Sequence, residues 1–111
     1  MQLFIEELAG DVTKVILDGR MDITGAQNVD LKMNVIAGSK KYVVIDAEKL
    51  AFLGSMGLRT IVSVARTIKS RGGKIAMFGA NQDVEKVLKM SGVNALLPTV
   101  PDFQSAIALM Q

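Results

Sequence analysis

Residues Tyr42-Val43-Val44-Ile45-Asp46 and Lys74-Ile75-Ala76-Met77-Phe78 decide the architecture. Both are short apolar runs, rich in β-branched or bulky residues and without strict polar alternation. Such runs suit strands buried on both faces. Between them Leu58, Ile61, Val62, Ala65 and Ile68 recur at helical spacing, with Arg59, Ser63, Arg66 and Ser70 on the opposite, solvated face. Gly72-Gly73 stops that helix. A strand, a helix and a strand in this order predict a parallel pair joined by a right-handed crossover.

Working towards the N-terminus, Thr24-Gly25-Ala26-Gln27 has the spacing of a capping box. A helix is expected from there to about Ala37, ended by Gly38, with Ala26, Val29, Met33, Ile36 and Ala37 facing inward. Leu31 and Val35 fall on the far side. They are read equally well as an exposed contact surface or as core in a deep groove. Asp18-Gly19-Arg20-Met21-Asp22-Ile23 reads as a polar bend. Before it, Leu3-Phe4-Ile5 and Val12 to Leu17 read as a hairpin turning at Gly10-Asp11. Towards the C-terminus, Asn81 caps a third helix with Asp83 and Glu85 in its first turn and Val84, Val87 and Leu88 inward. Gly92 ends it, Leu96-Leu97 suggests a short edge strand, and Pro101 suits the first turn of a last helix carrying Phe103, Ala106, Ile107 and Met110 inward. The expected order is β-β-α-β-α-β-α-(β)-α. That is an α/β fold with a mixed β-sheet, an opening antiparallel hairpin and then parallel β-α-β units, packed with about four helices.

The 111 residues, half of them apolar, suit a single domain spanning 1–111. There is no Cys and no His, which removes disulfides, thiolate nucleophiles, imidazole bases and the usual zinc ligands. Neither a G-x-G-x-x-G nor a P-loop pattern follows any strand. No cofactor is therefore expected, and an enzyme is a poor reading. The formal net charge is only +2. The basic residues are dispersed, so no direct nucleic-acid partner is expected. Without a membrane-length apolar run or a basic leader at Met1 to Glu7, the chain reads as cytoplasmic, with no membrane insertion. Asp18, Asp22 and Asp46 each end or follow a strand. A magnesium site would need such carboxylates, but loop Asp residues more often accept from backbone amides.

The informative segment is Phe52-Leu53-Gly54-Ser55-Met56-Gly57-Leu58, in a loop from Ala47 to Ser55 that leads into the second helix. Ser55 stands where free helix amides point outward. A phosphate on it would add about 1.5 to 2 negative charges beside the positive end of the helix dipole. The plain alternative is that Ser55 is only an N-cap.

This segment, after a strand ending Val-Ile-Asp, resembles the signature loop of STAS domains. In their anti-sigma factor antagonists (anti-anti-sigma factors) the loop typically reads Asp-Ser-Ser-Gly-Leu or Asp-Ser-Thr-Gly-Leu. Leu17-Asp18-Gly19-Arg20-Met21-Asp22 is similar to the family's Gly-Arg-Leu-Asp bend. Element order and length match over nearly the whole chain. The resemblance implies a protein-binding role in partner switching and transcription regulation. By that resemblance the domain would bind an anti-sigma factor serine kinase and free a sigma factor; the kinase would phosphorylate a loop serine, and a phosphatase would reverse it. On this alignment Ser55 is the phosphoacceptor, and Asp22, Gly54, Ser55, Met56, Gly57, Leu58 and Arg59 form the partner-binding surface. Gly54 stands where the family usually has Asp, and Met56 where it has a small hydroxyl residue. A second implied role is that of a STAS accessory subunit in a signalling assembly or membrane transporter, without the phosphorylation switch.

Overall fold

The computed structural model describes residues 1–111. Strands β1 (Gln2–Glu7) and β2 (Val12–Met21) form the antiparallel hairpin. Helix α1 (Ile23–Ser39) leads to β3 (Tyr42–Asp46), β4 (Leu50–Leu53) and α2 (Ser55–Ser70). Then come β5 (Lys74–Phe78), α3 (Gln82–Met90), β6 (Thr99–Val100) and α4 (Phe103–Leu109). The sheet runs β1-β2-β3-β5-β6, with β4 paired to β2 beyond the end of β3. All pairs except β1-β2 are parallel. The mixed sheet and the four expected helices are thus present.

Alternation along the central strands divides the interior. Val15, Leu17, Val43, Ile45, Ile75 and Met77 face a large core beneath α1, α2 and α3. Val12, Val44, Ala76 and Phe78 face a smaller one covered by α4 through Ala106 and Met110. The unalternating runs at 42–46 and 74–78 are apolar because helices cover both their faces. On the α4 side the buried carboxylate of Asp46 is held by Lys14, at 3.7 Å, and by the amide of Glu48.

Several local expectations are corrected. Asp22, not Thr24, caps α1: its Oδ1 accepts from the amide of Gly25 at 2.8 Å, so the capping box at 24–27 never forms. The helix runs through Gly38 to Ser39, and its end is closed from a distance. The Arg71 guanidinium donates from Nη1 to the carbonyls of Ala37 and Lys40. Asp18-Gly19 is not a bend. Gly19, at φ +122°, forms an irregularity inside β2, and the strand continues to Met21. The loop from Ala47 to Ser55 contains β4, whose inward residues are only Leu50 and Leu53. Leu96-Leu97 is no strand, for Leu97 is buried in the main core, and the edge strand lies at Thr99–Val100. Pro101 precedes the last helix, which is capped by Asp102 accepting from the amide of Ser105. In α2 the inward stripe includes Val64, while Leu58 and Val62 sit half-buried at its margin.

Leu31 and Val35 are surface residues, 77% and 60% exposed, which removes the deep-groove reading. Replacing both with Ser is expected to leave thermal stability within about 0.5 kcal/mol per site, the usual surface range. Calorimetric unfolding checks this, and a loss of several kcal/mol would return the pair to the core.

Candidate functional site

The site grows from the end of β2. Arg20 and Met21 pair in parallel with Phe52 and Leu53, and the Gly54 amide donates to the Met21 carbonyl at 3.0 Å. Asp22 and Gly54 therefore leave the sheet on adjacent strands, one into α1 and the other into α2. Two glycines let both helices come this close. A Cβ on Gly25 would lie 1.9 Å from the Arg20 carbonyl oxygen. One on Gly57 would lie 2.6 Å from Met21 Cγ and 2.7 Å from the Met21 carbonyl oxygen.

Ser55 is exposed and is the first residue of α2. The N-cap is Gly54, which has no side chain to offer, so the reading of Ser55 as a cap is overturned. Gly54 has φ −94° and extended backbone, which any residue adopts. A Cβ there would press on the Phe52 ring, at 3.1 Å, and meet the Met21 carbonyl oxygen at an ordinary 3.6 Å. Met56, 40% exposed, lines a groove between α1 and α2 with Gln27, Asp30 and Arg59. Arg59 is exposed, whereas Gly57 is buried and Leu58 half-buried against the core. Asp22 is half-buried, and its carboxylate is engaged in capping α1.

Two features escaped the sequence. The Arg20 guanidinium lies 4.4 Å from the centroid of the Phe52 ring, which is 38% exposed. That pairing exists only because β4 aligns Arg20 with Phe52. Ile23, 63% exposed, begins α1 next to the Asp22 cap. Its apolar side chain ends the 18–23 stretch, whose other residues read as a polar bend. Asp18, Asp22 and Asp46 do not converge, and no group of three or more His, Cys, Asp or Glu side chains forms a metal-binding cluster. No helix is long and apolar enough to cross a membrane.

The arrangement presents an exposed hydroxyl at the mouth of a helix. The STAS domain family model matches residues 6–106, and the chain belongs to that family. The anti-sigma F factor antagonist of Paenibacillus polymyxa is 26% identical, over all of this chain and 96% of its own length. An anti-sigma factor antagonist from Mycobacterium paratuberculosis has the same fold, with TM-score 0.86 and 21% identity over 98% of this chain and 92% of its own. So does the phosphorylated form of the Bacillus cell fate determinant SpoIIAA, with TM-score 0.76 and 17% identity over 99% of this chain and all of its own.

The two site glycines differ in what they tolerate. Gly57→Ala is expected to cost about 1–3 kcal/mol, because the new methyl collides with β2 backbone and Met21. Gly54→Ala is expected to be nearly neutral, because the Phe52 ring can shift by a few tenths of an ångström. Denaturant unfolding of both variants tests the contrast, and equal losses would refute it.

Proposed function

We propose that residues 1–111 act as one cytoplasmic domain that antagonises an anti-sigma factor. The domain binds the anti-sigma serine kinase through the surface around Ser55 and so releases a sigma factor. Phosphorylation of Ser55 ends the complex, and a phosphatase restores it. The observation that carries this reading is the position of Ser55: exposed, first in α2, and free of any capping duty. A phosphate on that hydroxyl would sit by the helix N-terminus without disturbing buried structure. The likeness to SpoIIAA, a protein whose structure is described in a phosphorylated form, supports the same reading. So does the likeness to curated antagonists along the whole chain. Asp22, Gly54, Met56, Leu58 and Arg59 would surround the acceptor, with Gly57 setting how closely α2 meets the sheet.

Incubation with each serine-kinase anti-sigma factor of the same genome and ATP should place phosphate on Ser55, as mapped by mass spectrometry. Phosphate elsewhere, or none from a kinase that binds the chain, would overturn the switch.

Gly54 and Met56 depart from the usual loop, and the extended backbone at Gly54 makes their effect testable without backbone strain. Gly54→Asp combined with Met56→Ser is expected to raise binding to, or phosphorylation by, a kinase of the family. An unchanged rate in the folded double variant would mean that the departures are neutral.

A further inference from the structure

Helix α2 contains Arg59, Arg66 and Lys69 and no acidic residue. Ser55, Arg59, Val62 and Arg66 share one face of it at helical spacing. That face borders a groove of about 570 Å³. Half-buried Leu58, Val62 and Val93 give the groove an apolar lining, and exposed Arg59 and Arg66 give it charge. Neither arginine is in an ion pair, since the two ion pairs of the chain are Lys14–Asp46 and Lys40–Glu7. Asp30 lies in the neighbouring groove on the α1 side of Arg59, in no ion pair and accepting from the Asn34 side-chain amide.

We propose that this groove takes an acidic amphipathic helix of the protein partner. Arg59 and Arg66 are seven residues apart, so their Cα atoms are separated by about 10.5 Å along α2. A partner helix with carboxylates seven residues apart matches that spacing, and apolar residues between them meet Leu58, Val62 and Val93. The charge complementarity selects the partner, because guanidinium groups pair with carboxylates through two parallel hydrogen bonds. The apolar strip and the absence of aromatic side chains from the groove fit a peptide better than nucleic acid. This inference rests on the proposed binding role, but not on phosphorylation. If Ser55 does accept phosphate, the new anion lies one turn from Arg59 on the same face and competes with the partner's carboxylate.

The probe is a stapled helical peptide with Glu at two positions seven apart and Leu between them, titrated into the isotope-labelled full chain and followed by NMR. The expected result is saturable shifts at the Arg59 and Arg66 side chains and at the Ser55 and Ser91 amides. Affinity should fall roughly tenfold or more for Arg59→Gln with Arg66→Gln, and likewise for a Gln-substituted peptide. Lys86→Gln with Lys89→Gln, on α3, should leave affinity unchanged. No shift at about 1 mM peptide, the weak end of specific recognition, overturns the proposal. Shifts spread evenly over all lysines and arginines also overturn it. A short DNA duplex that competes as tightly as the peptide would overturn the assignment to a protein partner. Failure of the kinase to label Ser55 leaves these outcomes unchanged, so the two readings fail separately.

Discussion

The close approach of two helix N-termini to the end of β2 is the contact on which the rest depends. Gly25 seats α1 against the Arg20 carbonyl, and Gly57 seats α2 against Met21. Met21, fully buried, supplies both the side chain under α2 and the carbonyl that accepts from Gly54. A Cβ at either glycine would enter backbone or near-backbone space, so the fit is steric and unforgiving. Because Gly57 is held there, Ser55, two residues earlier, is carried to the surface at the mouth of α2. The exposure of the candidate switch is therefore set by a buried contact.

The sheet and its covering helices give that contact a rigid base. Helices cover both faces of the central strands, with α1, α2 and α3 over the larger core and α4 over the smaller. The C-terminus of α1, lacking a glycine stop, is closed by Arg71 from the far end of α2. Hydrogen bonds to a charged donor contribute more than neutral ones, so this link ties the two helices at their ends as the glycines tie them at their beginnings. What remains outward on α2 is a row of unpaired basic groups beside the Ser55 hydroxyl. A chain of net charge +2 thus concentrates positive charge on one helix face next to the site.

The central β-α-β unit was legible because its signals are local and strong. The runs at 42–46 and 74–78 and the stripe through Ile61, Ala65 and Ile68 leave little choice of element. The Asn81 cap was legible for the same reason, and the amide of Val84 does donate to it. Of the candidate site, the sequence marked the loop and Ser55, but not Arg20 on Phe52. The four residues of β4 carry too little pattern to reveal a strand, since only Leu50 and Leu53 face inward. The sequence offered Thr24 as the cap of α1, but Asp22 takes that place because β2 continues up to Met21.

By itself, then, the sequence determined the element types and order of the central β-α-β unit, the inward stripe of α1 and the position of the hydroxyl loop. Each of these follows from side-chain periodicity and capping chemistry within a few residues. Only the tertiary structure decided that Ser55 lies inside the helix rather than capping it, that Leu31 and Val35 face solvent, and that Arg59 and Arg66 border a groove without acidic partners. Those outcomes depend on which surfaces meet across the fold. They turn on the steric seat of Gly57 on Met21 and on the placement of the Ser91 to Val93 segment beside α2, neither of which local pattern encodes.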